Sequence, residues 1–191
     1  MTSAPASDRF SVCLAEVLRA EGGFNDIPAD RGGATNYGIS LRFLVTEVAT
    51  NPRARAIVPP PINRETIRTL TVQQAGALYR LCFWQPVRGD ELPARLDHAV
   101  FCMAANAGVL TSGRLLQRAL NLALPFQDAV KLDGRIGPVT VAAVREAHDE
   151  LVLAHFRRMA SDHYQSIVRR NPSQRIFLKG WLARAKRLGT V

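Results

Sequence analysis

The chain is poor in the residues that staple, span or repeat. Its three cysteines, Cys13, Cys82 and Cys102, are odd in number and widely spaced, which excludes a disulfide framework and a CxxC metal pair. Each follows or sits in an apolar helical pattern, so all three are expected to be inert core thiols. No run approaches the roughly 18 to 20 uninterrupted apolar residues of a membrane-spanning helix. Glycine and proline, 13 and 11 of 191 residues, are too few and too aperiodic for a fibrous or low-complexity chain. The opening residues MTSAPASD have neither a positive n-region nor an apolar h-region. They do not read as a secretory signal, so synthesis and retention in a cytoplasm are expected. What remains is 47% hydrophobic residues over a length that suits one compact body or two small lobes sharing a core.

Acidic residues are scarce in one place. Residues 1–150 carry 16 basic and 15 acidic side chains, a net +1, whereas 151–191 carry nine basic residues against Asp162 alone, a net +8. Such a tail suits nucleic acid, an anionic membrane surface or an anionic cell wall. Only 7% of the residues are aromatic. With neither a nucleic-acid motif nor an aromatic platform, nucleic acid is not an expected partner.

Helical periodicity dominates. Asp8 can cap a helix carrying Phe10, Leu14, Val17 and Leu18 on one face and ending at Gly22-Gly23. Residues 24–40 have no helical period and predict an irregular loop or small hairpin. A short helix is expected over 41–50, and the proline-rich 51–62 reads as an exposed connector. Asn63 can cap 64–69, and Thr71 with Gln74 makes a capping box for a helix to about Phe83. Further helices are expected at about 93–106, 113–124 with Ser112 as cap, 138–148, 150–168 and 176–188. A loop over 125–137 holds the Asp133-Gly134 turn. The fold class is mainly α.

The chemistry concentrates in EGGFNDIPADRGGATNYG, Glu21 to Gly38. A carboxylate at a helix C-terminus faces the negative pole of the helix dipole, which favours the protonated state a general acid needs. Glu21 is so placed, with Asp30 and Thr35 following. A protonated Glu, an ionised Asp and a hydroxyl that can hold a water are the parts for cleaving a glycosidic bond. Asp26 competes with Asp30 for the second carboxylate. Taken singly these residues also suit a solvated helix end, an Asx turn and a loop hydroxyl; the recurrence of Gly-Gly at 32–33 ahead of Thr35-Asn36-Tyr37-Gly38 favours a built site.

That segment, with Ala77-Leu-Tyr-Arg80, Phe83-Trp84, Gly89-Asp-Glu-Leu-Pro93 and Asn106-Ala-Gly108, resembles the glycoside hydrolase family 108 N-acetylmuramidases, which occur as phage endolysins and bacterial muramidases. Leu116 to Asn121, Asp133 to Thr140 and Lys179 to Arg184 resemble the family's C-terminal, peptidoglycan-binding region. The resemblance implies a lysozyme-like helical fold and a bacteriolytic peptidoglycan hydrolase cutting the β-1,4 bond between N-acetylmuramic acid and N-acetylglucosamine. It divides the chain into a catalytic region over 8–110 and a binding-like region over 111–191, packed as one body. It makes Glu21 the catalytic acid. The order Glu21, Asp30, Thr35 is also similar to the small phage-type lysozymes, implying that Asp30 stabilises the oxocarbenium-like charge and that Thr35, with Asp30, positions water. Two departures stand out: Ala20 replaces a common histidine, and Cys102 replaces a common acid.

Asn36, Tyr37, Trp84 and Asn106 are candidate substrate contacts. Trp84 suits a core anchor equally, and Asn106 suits a helix cap equally. No cofactor and no metal are expected, since His98, His148, His155 and His163 lack ligand spacing. Peptidoglycan is the expected partner of a monomer, and a non-catalytic wall-binding protein is the alternative. Over 176–188, Ile176, Phe177, Trp181, Leu182, Ala185 and Leu188 can share one side with cations opposite. That pattern suits packing on the core, and alternatively an anionic outer-membrane surface. Reaching the wall would need a holin, lysis or a dedicated secretion path.

Overall fold

The computed structural model describes residues 8–26 and 33–191. The chain divides into two compact units, Met1–Cys82 and Phe83–Val191. The architecture is mainly α and lysozyme-like, with ten α-helices and one two-stranded sheet among the described residues. Also among them, no helix is long and apolar enough to cross a membrane.

The first unit begins with α1 (Arg9–Glu21), which buries Phe10, Cys13 and Val17. Asp8 precedes it, but its carboxylate makes no cap; it pairs with Arg80, whose guanidinium also lies 4.3 Å over the Phe10 ring. The strands β1 (Thr35–Asn36) and β2 (Ile39–Ser40) form an antiparallel hairpin. Ser40 then caps α2 (Leu41–Thr50) by accepting from the Phe43 amide at 3.2 Å.

The proline-rich connector is partly helical, contrary to expectation. Pro52–Ile57 forms α3 because Pro52 occupies the first turn, where no amide is needed, and Asn51 accepts from the Arg53 and Ala54 amides. The three consecutive prolines fall after it. Capping boxes from Asn63 and Thr71 open α4 (Arg64–Arg68) and α5 (Val72–Tyr79) as expected, and the chain leaves α5 through a π-helical turn, Arg80–Trp84. Cys82 donates to Glu47 Oε2 at 3.6 Å; burial, then the Glu47 charge, pushes its thiol up to about 12 and holds it protonated.

In the second unit, α6 (Leu96–Ala107) is buried along most of its length. It packs with α7 (Val109–Ala123), α8 (Pro138–Glu146), α9 (Asp149–Arg170) and α10 (Arg175–Arg187) around Val100, Leu116, Leu120 and Phe156. Ser112 is not the cap of α7. It lies inside the helix, fully buried, with its hydroxyl donated to the Val100 carbonyl at 2.7 Å, so the helix starts earlier. One residue on, Gly113 lies so close to the Gly134 carbonyl that a Cβ would collide with it. Gln117 secures the approach, accepting from the Gly134 amide at 2.7 Å and donating to Asp133 at 2.9 Å, while Asn121 bonds both the amide and carbonyl of Val130. The Leu116-to-Asn121 and Asp133-Gly134 motifs therefore hold a loop in place.

The basic tail is folded onto its own unit at the inner end. Ala185 and Leu188 are buried, the Gly189 amide donates to His98 Nδ1 at 3.0 Å, and Arg157 donates to the Leu188 carbonyl at 2.8 Å. Trp181 stacks between Tyr164 and Phe177 at centroid distances of 5.5 and 5.7 Å. At the outer end Ile176 and Phe177 stay exposed.

Candidate active site

Glu21 is the last residue of α1, and its side chain is solvent-exposed. Gly22 ends the helix at φ +74°, its amide bonded to the Leu18 carbonyl at 3.2 Å. The chain then runs to Asn25, which bridges Thr35 through two backbone hydrogen bonds of 2.8 Å each. Asn25 thus adds a third extended segment beside the β1–β2 hairpin.

The hairpin turn is Tyr37-Gly38, with φ of +51° and +77°. Both central residues are left-handed, as a two-residue type I′ turn requires. Tyr37 holds this conformation with its carbonyl accepting from the Tyr79 hydroxyl at 3.1 Å. Gly38 lies directly under the catalytic candidate: an added Cβ would sit 2.8 Å from Glu21 Cγ and 3.1 Å from Glu21 Cβ, and closer still to the Tyr79 hydroxyl. The end of α1, the turn and the end of α5 therefore converge, with Glu21 resting on the glycine. Removing the hydroxyl in Tyr79→Phe deletes one hydrogen bond to a strained turn. The expected cost is about 1 kcal/mol of stability in a denaturant melt, with the fold retained.

Of the candidate residues, Thr35 is half-buried on β1 and donates its hydroxyl to the Asn25 carbonyl at 3.4 Å. Its lone pairs remain able to accept from a water. Asp30 lies outside the described residues. Asp26 forms an ion pair with Arg64 at the start of α4. Tyr37 is half-buried and precedes Gly38 in the turn.

Two expected substrate contacts are enclosed instead. Asn36 is buried, and its amide donates to the Ile67 carbonyl at 3.0 Å and more weakly to those of Arg68 and Leu70. It ties the hairpin to the end of α4. In the second unit Trp84 is fully buried, edge-on to Phe101 at 5.4 Å, with its indole N–H donated to Asp90 at 2.9 Å. A residue with no exposed surface cannot stack on a sugar, so it serves as the core anchor. Asn106 is exposed near the end of α6 and accepts from the Tyr164 hydroxyl at 2.7 Å. Among the described residues no group of three or more His, Cys, Asp or Glu side chains is placed to hold a metal.

Tyr79 and Gly38 carry positional roles that the motif reading left unassigned, although both lie in quoted motifs. Their signal was spacing that only the folded hairpin converts into contact.

The exposed Glu21 at a helix end thus lies against a glycine turn within a mainly α lysozyme-like fold. Residues 14–108 match the family model described as Glycosyl hydrolase 108, and residues 111–186 match one described as Predicted Peptidoglycan domain. Among solved structures, the chain is similar to that of Brucella abortus SagA, at 30% identity and a TM-score of 0.75, over 97% of this chain and 94% of that one. No curated protein matches it. The chain belongs to the glycosyl hydrolase 108 family. The two family matches together support a peptidoglycan hydrolase. They meet between 108 and 111, whereas the compact units divide at Cys82 and Phe83.

Proposed function

We propose that the protein is an N-acetylmuramidase that hydrolyses the β-1,4 bond between N-acetylmuramic acid and N-acetylglucosamine, with Glu21 as general acid. The observation that carries this reading is the placement of an exposed Glu21 at the end of α1, its methylenes against the Gly38 turn. In this scheme Glu21 protonates the glycosidic oxygen as the bond breaks, and the sugar gains oxocarbenium character. Asp30 stabilises that charge. Thr35, with Asp30, holds the water that attacks. Tyr37, beside the turn, is the aromatic face for a sugar ring.

The bond itself is tested by digesting purified peptidoglycan and identifying the new reducing ends by mass spectrometry. N-acetylmuramic acid at those ends is the expected result; N-acetylglucosamine would make the enzyme a glucosaminidase and overturn the assignment. In cells the protein would act on the wall after release by lysis, a holin or a dedicated export path.

A further inference from the structure

The second unit holds a cleft of about 290 Å³ lined by Arg118, Asn121 and Leu122 of α7, Leu132 of the following loop and Met159 of α9. Its walls are apolar side chains open to solvent: Leu122 is 54% exposed and Leu132 45%. Isolated exposed leucines are ordinary; two facing one cleft beside a half-buried Met are a surface that a ligand can cover. The polar groups divide cleanly. Asn121 is spent on the backbone of Val130 and positions the wall. Arg118 is exposed and forms no ion pair among the described residues.

The field at this rim is positive. His163, one helical turn beyond Met159 on α9, is held below its ordinary pKa by burial first and then by Arg170 and Arg118. Asp162 is the only acid on α9 beyond the first turn, and it pairs with no cation among the described residues. A small apolar cleft with one planar, bidentate-capable guanidinium suits a ligand that joins a carboxylate to short aliphatic groups. A peptide-free glycan joins one methyl to one carboxylate in each muramic lactyl group, too little to cover three apolar side chains, and a nucleic acid offers no methyl-bearing carboxylate. Within peptidoglycan that chemistry belongs to the peptide stem, a short anionic chain rich in alanine. All five lining residues lie within 111–186, the stretch matching the Predicted Peptidoglycan domain.

We propose that this cleft binds the peptide stem of peptidoglycan, a stem carboxylate on Arg118 and the alanine methyls against Leu122, Leu132 and Met159. The proposal rests on the reading of the chain as a peptidoglycan hydrolase and adds a recognition site apart from Glu21. The cleft would make the enzyme read the peptide while it cuts the sugar.

The test titrates a soluble stem peptide, L-Ala-D-Glu-diaminopimelate-D-Ala, into the isotope-labelled full chain by NMR, for the wild type, Arg118→Gln and Arg158→Gln. Expected are shifts at Arg118, Leu122, Leu132 and Met159, affinity weakened about tenfold or more by Arg118→Gln, and none lost by Arg158→Gln on an exposed face of α9. No binding to the wild type, shifts confined to the Glu21 hairpin, or equal affinity in Arg118→Gln would overturn the proposal. In parallel, hydrolysis of peptide-free glycan strands is expected to be the same in Arg118→Gln and wild type, and a comparable loss there would overturn a peptide-specific role. Failure of the wild type to cut any wall material would instead defeat the muramidase reading while leaving the NMR result to judge the cleft.

Discussion

Glu21→Gln should lower the release of reducing ends from purified peptidoglycan by about a thousandfold, with the melting temperature and helical signal unchanged. A positioned general acid contributes roughly 10² to 10⁴ to a rate, and the scheme gives this residue the proton on which leaving-group departure depends. The amide keeps the shape of the carboxyl and the same Cβ and Cγ over Gly38, so the turn beneath it is undisturbed. An exposed side chain at a helix end also contributes little burial, so folding has little to lose. Those two facts separate chemistry from stability in one substitution. Full activity in Glu21→Gln would remove Glu21 from the mechanism. A wild type that sediments with the wall but releases no reducing ends would instead favour the alternative that this chain binds the wall without cutting it.

The helices were legible because their signals are local. Capping boxes at Asn63 and Thr71, Pro138 in a first turn and the 3.6-residue spacing of apolar residues each act within one or two turns. Departures arose where a side chain was claimed by a distant partner, or where a neighbouring cap outweighed a proline signal. Ser112 reads as a cap until the Val100 carbonyl, twelve residues earlier, claims its hydroxyl. Pro52 reads as a breaker until Asn51 supplies two acceptor contacts and turns it into a helix start. Asp8 reads as a cap until Arg80 takes its carboxylate.

The site divides in the same way. Glu21 stood out because its residue type and the neighbouring glycines are contiguous in sequence. Asn36 and Trp84 were expected at the substrate because polar and polar-tipped aromatic side chains serve in both interiors and binding sites. Only the carbonyls of Ile67, Arg68 and Leu70, and the carboxylate of Asp90, settle their burial. Tyr79 lies in the Ala77-to-Arg80 motif, but the carbonyl it supports is forty-two residues away, so its role showed only in the fold.

Gly38→Ala is expected to damage both stability and activity, and for reasons that can be separated. The left-handed φ of +77° costs an L-residue about 1 to 2 kcal/mol, and a methyl forced against Glu21 Cγ and the Tyr79 hydroxyl adds an overpacking cost of about 1 to 3 kcal/mol. Together these predict a loss of about 2 to 5 kcal/mol in a denaturant melt. The methyl also displaces the acid: a shift of about 1 Å in a catalytic group costs on the order of a hundredfold in rate.

Gly38→Asn distinguishes the two causes, because Asn tolerates the left-handed region yet still carries a Cβ. If strain alone mattered, Asn would restore most of the activity; the contacts at Glu21 and Tyr79 predict that it will not. Tyr79→Phe supplies the complementary arm. It removes the atom nearest the new methyl, so Gly38→Ala should cost less in that background than in the wild type. Additive losses in this double-mutant cycle would show that the hydroxyl and the methyl never compete. The close approach of the Tyr79 hydroxyl would then not contribute to the cost of a Cβ at 38, leaving the Glu21 contact and the left-handed φ to account for it.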